Sequence, residues 1–251
     1  MESYATAQQV FVGGLVFARL AAIVMLVPGI GETFIPARIR LSLALVMTLA
    51  LFPVLSAGAP ALPGSSGELA GVVIKEIFIG LMIGGIIRIF MNALEVTGEI
   101  VSIQTTLSFA QTANPGQAAP TTTLGTFLTL LALMLIFATN LHHLFISAIV
   151  RSYALFPFHK AVPTGDAGQL AVQTVAQSFA LGVQLAAPVL VFAFIFNIAT
   201  GLVARVMPQF QVFFVASPLL VLTSMSIFAL SLGVIGMVFI DRFRELLRVF
   251  G

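Results

Sequence analysis

Between Glu99 and Arg151 the chain carries no Asp, Glu, Lys or Arg. Charge is scarce throughout, because only 8% of the 251 residues are charged and 59% are hydrophobic, whereas soluble domains carry about a quarter charged residues. Such a chain cannot cover a water-facing surface of ordinary polarity. It is therefore an integral membrane protein or a subunit buried among others. The net charge of +2 is too small to indicate a nucleic-acid partner, and the absence of cysteine excludes disulfides.

Apolar runs of membrane-spanning length recur about six times along the chain. Runs of this kind predict helices, since a helix satisfies its own backbone hydrogen bonds in lipid. We therefore predict an all-α membrane protein built from long kinked helices and helical hairpins. Two of the runs, residues 68–109 and 169–203, are longer than one straight membrane-spanning helix. Pro188 could break the helix in the later of these two runs. The runs cover residues 10–27, 41–55, 68–109, 124–150, 169–203 and 212–240.

Several of these runs contain polar side chains that lipid cannot surround. Arg19 lies in the middle of the first run, where a lipid-facing arginine costs about 2.5–3.5 kcal/mol on insertion scales. We expect Arg19 to face protein or water. Arg88, Asn92, Glu95 and Glu99 follow one another at helical spacing in the third run and predict one polar stripe.

Glu95 and Glu99 are the best candidates for a proton relay, being four residues apart within apolar sequence. Arg88 lies on the same predicted face, so an internal ion pair is the simpler interpretation of at least one of them. Gly80 and Gly84 have the GxxxG spacing that allows close helix contact, although chance alone often produces this spacing in glycine-rich apolar segments.

The two adjacent histidines, His142 and His143, are the only metal-like feature of the sequence. Neighbouring residues on a helix point about 100° apart, and the i, i+4 pairing that chelates zinc is missing. We therefore interpret His142 and His143 as polar side chains packed at a helix interface. The sequence has no motif of a hydrolase or NTPase, so we predict neither an enzymatic activity nor a cofactor.

Residues 104–123, QTTLSFAQTANPGQAAPTTT, form a polar segment that carries no charge. A water-exposed linker is usually rich in charge as well as in Pro, Gly and Ser. Neutral Thr, Gln and Asn side chains offer hydrogen bonds without the desolvation cost of an ion. Two interpretations stay open: a segment inside an assembly or lining a narrow passage, and an ordinary loop between two membrane helices.

Residues 200–218, TGLVARVMPQFQVFFVASP, resemble the signature of the FliR family of flagellar export-gate proteins. That family typically shows a GLxAR segment, then Pro-Gln-x-Asn-Val-Phe, then a proline; Gln211 here replaces the usual asparagine. Residues 35–40 and 98–115 are similar to two further family segments, with Asn114 in place of an aspartate, and Asn140, His142 and Pro157 also match. The signature residues that match are Gly201, Leu202, Ala204, Arg205, Pro208, Gln209, Val212, Phe213 and Pro218.

The resemblance implies one export-gate domain over residues 1–251, ending in an amphipathic tail at residues 241–251. One copy of the chain is expected in a closed helical ring with several copies of FliP and FliQ, surrounded by FlhB. The ring would form the entrance of a channel that passes unfolded flagellar proteins across the inner membrane, at the flagellar basal body. Part of the ring would stand above the membrane plane on the periplasmic side.

The resemblance also assigns roles to particular residues. The loop at about residues 108–122 is expected to project into the pore as part of a plug, with Phe109 as an apolar seal. Neutral hydrogen bonds, each worth about 0.5–1.5 kcal/mol, would let such a plug hold and release. The plug residues are Ser108, Phe109, Gln111, Asn114, Pro115, Gly116, Gln117 and Pro120. The residues expected to be buried or to contact other subunits are Arg19, Arg88, Asn92, Glu95, Glu99, Asn140 and His142.

Two alternatives to a flagellar gate follow from the same residues. The first is the same role in a virulence injectisome. The second is a secondary transporter for a small solute, using Glu95 and Glu99 near the membrane midplane.

Overall fold

The computed structural model describes residues 6–32, 35–58, 60–108, 122–158, 160, 164–209 and 211–248. These residues form α-helices joined by short turns, with no strand among them, so the predicted all-α class is confirmed. The helices are α1 (Ala7–Leu26), α2 (Ala37–Leu55), α3 (Ser66–Gln104), α4 (Thr123–Ala138), α5 (Leu141–Leu155), α6 (Thr164–Val206) and α7 (Val212–Arg248), with a short 3-10 helix at Ser56–Gly58.

The prediction of about six apolar segments is confirmed. Five helices, α1, α2, α3, α6 and α7, are long and apolar enough to cross a membrane. The pair α4 and α5 passes the same test as one broken span, bent by 82°. Asn140 stands at this bend with a φ of 57°, a left-handed conformation that asparagine tolerates better than most residues.

Local sequence explains where the helices begin and how far they run. Thr6 caps α1 in a capping box, in which the Gln9 N–H donates to Thr6 Oγ1 and the Thr6 N–H donates to Gln9 Oε1. The predicted break at Pro188 is wrong, because α6 continues through this proline for 43 residues. A proline removes one backbone hydrogen bond and can kink a helix, but the turns on either side can persist.

The chain divides into two compact units. The first unit contains residues 1–90, 139–175 and 243–251, and the second contains residues 91–138 and 176–242. Helices α3, α6 and α7 each contribute to both units, and the prediction of a single domain over residues 1–251 stays a prediction. The core of the first unit includes Leu15, Val16, Leu20, Ile23, Ile79, Ile83, Ile86, Ile87, Ile149, Phe243 and Leu247.

The second unit has its own core, in which α3 meets α4 and α6 at small residues. A methyl group built on Gly98 of α3 would lie 2.2 Å from the backbone nitrogen of Gly125 in α4. Thr97 Oγ1 donates to the Gly182 carbonyl of α6 at 3.1 Å. The larger buried residues of this core are Leu94, Val101, Leu128, Leu185, Val189, Phe228, Ile235 and Phe239.

Candidate functional site

Helices α1 and α3 of the first unit approach each other at two glycines. A Cβ on Gly80 would lie 2.5 Å from the Arg19 carbonyl oxygen, and one on Gly84 would lie 2.9 Å from the Leu26 Cβ. The GxxxG spacing is weak evidence by itself, but here it coincides with a close contact between the two helices. Because Glu76 lies one turn before Gly80 on α3, the same contact brings its side chain beside Arg19.

Arg19 and Glu76 form a fully buried ion pair. Arg19 Nε donates to Glu76 Oε2 at 2.6 Å, and neither side chain has any exposed area. The sequence predicted that Arg19 faces protein or water, and the structure shows that protein surrounds it. The sequence patterns did not identify Glu76 as the partner of Arg19. They singled out Arg88, Glu95 and Glu99 as possible members of an ion pair.

The remaining donors of Arg19 go to the C-terminal end of α5. Nη1 donates to the Ser152 carbonyl at 3.3 Å, and Nη2 donates to the Phe156 carbonyl at 2.9 Å. The guanidinium carbon also lies 3.8 Å from the centroid of the Tyr153 ring, close enough for a cation–π interaction. One buried cation thus joins α1, α3 and α5.

Lys75, the neighbour of Glu76, binds the turn that follows α5. Its Nζ donates to the Phe158 carbonyl at 2.5 Å and to the Pro157 carbonyl at 3.2 Å. These carbonyls lie just beyond the C-terminal end of α5, which carries partial negative charge, so a cation is favourable there. Arg19 and Lys75 together fix the end of α5 against α3.

This cluster is suited to a positioning role within the first unit. A carboxylate completely removed from water is costly unless it is paired, and Glu76 Oε1 has no hydrogen-bond partner among the described residues. The described residues also contain no group of three or more His, Cys, Asp or Glu side chains able to hold a metal.

The polar stripe of α3 lies on the outside of the chain. Arg88 is exposed in the first unit, and in the second unit Asn92 and Glu99 are exposed while Glu95 is half-buried. The apolar face of α3 occupies the cores, and this leaves its polar face uncovered within the chain. That Arg88, Asn92 and Glu99 are buried against other subunits stays a prediction.

The polar residues at the bend between α4 and α5 are not fully buried within this chain. Asn140 is exposed and adopts the left-handed conformation at the bend, and its contact with other subunits stays a prediction. His142 is half-buried, and its ring centroid lies 4.2 Å from that of His143.

Most of the predicted plug lies outside the described residues. Ser108 is described and is half-buried just beyond the end of α3. The other predicted plug residues, Phe109, Gln111, Asn114, Pro115, Gly116, Gln117 and Pro120, fall within the part of the chain that is not described.

The residues of the family signature form the connection between α6 and α7. Gly201 and Arg205 lie in the last turns of α6, and Pro208 and Gln209 lie in the turn; all four are exposed. Pro218 is exposed within α7, and Phe213 lies in its first turn, with its side chain not described.

Next to this connection the second unit has a cavity of about 250 Å³. Its walls come from the end of α3, the last part of α6 and the first part of α7. Among the residues that the structure describes, no charged side chain lines it, and its polar groups are hydroxyls and one amide. The residues that line it are Thr106, Phe196, Asn197, Thr200, Gly201, Ala204, Val212, Ala216, Ser217 and Leu220.

Residues 241–248 of the predicted amphipathic tail form the last part of α7, and residues 249–251 lie outside the described residues. Phe243 and Leu247 are buried in the first unit, and Phe243 packs on Phe90 with 5.9 Å between ring centroids. Arg242, Arg244 and Arg248 are exposed on the other side of the helix.

Comparison with known proteins identifies the family. Residues 10–246 match the family model described as "Bacterial export proteins, family 1". The chain is 59% identical over 250 residues to the flagellar biosynthetic protein FliR of Caulobacter vibrioides, covering 100% of both chains. It is 28% identical to the FliR proteins of Bacillus subtilis (88% of this chain, 86% of the relative) and Escherichia coli (84% and 80%). The chain belongs to family 1 of the bacterial export proteins and, within it, to the FliR family.

Proposed function

We propose that this chain is a membrane subunit of the flagellar export gate. It would form part of the entrance of the channel that passes unfolded flagellar proteins across the bacterial inner membrane. Its expected partners are FliP and FliQ homologues in one helical ring containing a single copy of this chain, with an FlhB homologue bound around the ring. The role is non-enzymatic.

The observation that carries this proposal is the exposed polar face of α3 in the second unit. Asn92 and Glu99 are uncovered on a helix apolar enough to cross a membrane. A charged side chain at the centre of a bilayer costs about 2.5–3.5 kcal/mol even on the lowest scales, so such residues normally face protein or a water-filled cavity. A ring of partner subunits around an aqueous channel supplies both environments.

The apolar surface of α6 and α7 is consistent with the same assembly. Large side chains stand out from both helices, including Val206 at 80% exposure and Leu230 at 84%. A soluble monomer rarely exposes large contiguous apolar patches, whereas lipid and the helices of neighbouring subunits both accept them.

The neutral segment at residues 104–123 would serve as part of the plug that closes the resting channel. This part of the proposal rests on composition and on the family resemblance. Polar side chains without charge can exchange hydrogen bonds between neighbouring subunits and water at modest cost, which suits a seal that must open when a substrate arrives.

The relatives described above are flagellar proteins, which favours the flagellar system over an injectisome. A small-solute transporter using Glu95 and Glu99 would have to work without the partners that the family implies. The two functions therefore differ in the state of the purified protein.

Native mass spectrometry of the detergent-extracted chain tests the proposal. The chain is expressed alone and then together with FliP and FliQ homologues from the same organism. We expect one copy of this chain in a large hetero-oligomer with both partners. A stable monomer or homo-oligomer that ignores co-expressed partners would contradict the gate and favour the transporter.

A further inference from the structure

The end of α3 has a backbone conformation that its sequence disfavours. The helix ends at Gln104, and Thr106 follows with a φ of 60°. Glycine and asparagine are the residues that usually end helices in this left-handed conformation, because a Cβ crowds the following carbonyl oxygen. For a β-branched residue the conformation is a clear outlier. Its cost lowers the population of the left-handed state by a factor of roughly 5–30 relative to glycine at the same position.

Local hydrogen bonds hold the helix end in this state. Thr105 is fully buried, and its Oγ1 donates to the Val101 carbonyl at 2.8 Å and to the Ser102 carbonyl at 3.3 Å. The Thr106 N–H donates to the Ile103 carbonyl at 3.2 Å. The Val101 carbonyl also accepts from the Thr105 N–H at 2.9 Å. The bonds to the Ser102 and Ile103 carbonyls are therefore the ones that satisfy groups left without an intrahelical donor when the helix ends.

Nothing in the sequence requires α3 to stop at this point. After Pro63 the next proline is Pro115, and no glycine occurs between Gly98 and Gly116. Proline and glycine are the residues that most strongly oppose a continuing helix. A helix that runs on through Thr106 is therefore a competing conformation of the same chain.

The second unit provides room for this alternative. Thr106 lines the cavity of about 250 Å³, opposite Asn197, Thr200 and Gly201 of α6 and Ala216 and Ser217 of α7. Most of these side chains are small, and none is charged. Well-packed interiors have few voids larger than a water molecule, so a cavity of this size allows the end of α3 to move without displacing its neighbours.

We propose that the last turn of α3 is a two-state conformational switch centred on Thr106. In one state Thr106 is left-handed and the helix ends; in the other it is right-handed and the helix continues through Leu107 and Ser108. Threonine keeps both states accessible because β-branching disfavours each of them, whereas glycine favours termination and alanine favours continuation. The inference rests on contacts within this chain and not on the export function proposed above, so the two can fail independently.

Distance measurement by electron paramagnetic resonance tests the switch, since the chain has no native cysteine. Spin labels are placed at Leu107→Cys and Met134→Cys in the purified, detergent-solubilised chain; Met134 is 72% exposed on α4. The matched control pair uses Ile103→Cys, which lies before the switch and is 54% exposed. Each pair is measured with Thr106 and in the Thr106→Gly and Thr106→Ala backgrounds.

We expect two distances for the Leu107 pair with Thr106 in place. Thr106→Gly should lower the ratio of extended to terminated helix at least fivefold, and Thr106→Ala should raise it, while the Ile103 pair does not change. One unchanged distance in all three backgrounds, or two distances with a constant ratio, would contradict the switch. If the Thr106→Ala variant fails to fold, the Thr106→Gly variant still tests the predicted change in this ratio, because glycine fits the conformation observed here.

Discussion

Arg19 of α1 and Glu76 of α3 are 57 positions apart in sequence and form an ion pair from which water is excluded. The Nε–Oε2 distance is 2.6 Å, and both side chains have no exposed area. The pair, together with Lys75, holds the end of α5 against α1 and α3. Removing either partner therefore leaves an uncompensated charge in the core.

Glu76→Gln should lower the free energy of unfolding by about 3–5 kcal/mol, because it leaves Arg19 buried without its counter-ion. Thermal unfolding of the detergent-solubilised chain measures the loss. Glu68→Gln is the control, since it makes the same charge change at an exposed position in the first turn of α3. Equal unfolding temperatures for the two variants would refute a stabilising role of the buried pair.

A double variant separates the ion pair from the other bonds of Arg19. Arg19→Met with Glu76→Met removes both charges and should recover part of the stability lost in Glu76→Gln. Recovery should be incomplete, because the Phe156 carbonyl loses the Arg19 donor and the Ser152 carbonyl keeps only its bond from the Phe156 N–H.

Gly80→Ala should destabilise the first unit by about 1–3 kcal/mol, because its methyl group would overlap the α1 backbone at Arg19. Gly85→Ala is the matched control in the same helix, since a Cβ there meets no atom within 4 Å. That control should be neutral or stabilise by up to about 1 kcal/mol through helix propensity. The same thermal unfolding assay compares them; effects of the same sign at both positions would rule out the close contact as the cause.

Glu99→Gln should reduce the yield of the hetero-oligomer with FliP and FliQ homologues, because Glu99 is exposed on this chain and is expected to contact a partner. The yield is measured by affinity purification from co-expressing cells, with Glu68→Gln again as the control. A normal yield combined with lost protein export would favour a proton relay at Glu99 instead.

Deleting residues 114–121 should leave assembly intact and make membranes that contain the complex permeable to ions. The expected cause is loss of neutral polar side chains that seal the resting channel. Ion leakage is measured in cells or vesicles at matched complex levels. Replacing residues 114–121 by a Gly-Ser segment of equal length separates the effect of the segment's length from the effect of its side chains. Unchanged permeability in the deletion variant would exclude a plug.

Much of the architecture was predictable from the sequence because it depends on local pattern. Apolar runs of about 20 residues indicate helices in any membrane protein, and the spacing of Asn92, Glu95 and Glu99 correctly placed them on one face of α3. The prediction that Pro188 breaks its helix failed because a single proline weakens a helix without ending it when the flanking turns are stable.

The sequence by itself determined the helical class, the number of apolar segments (about six), the existence of a polar stripe and membership of the export-protein family. Only the tertiary structure decided that Arg19 pairs with Glu76, that the stripe is exposed and that Thr106 borders a cavity. Periodicity along a chain shows which side chains share a helix face. Which face is buried, and against what, depends on contacts between distant segments, such as the approach of α1 to Gly80 that brings Glu76 to Arg19.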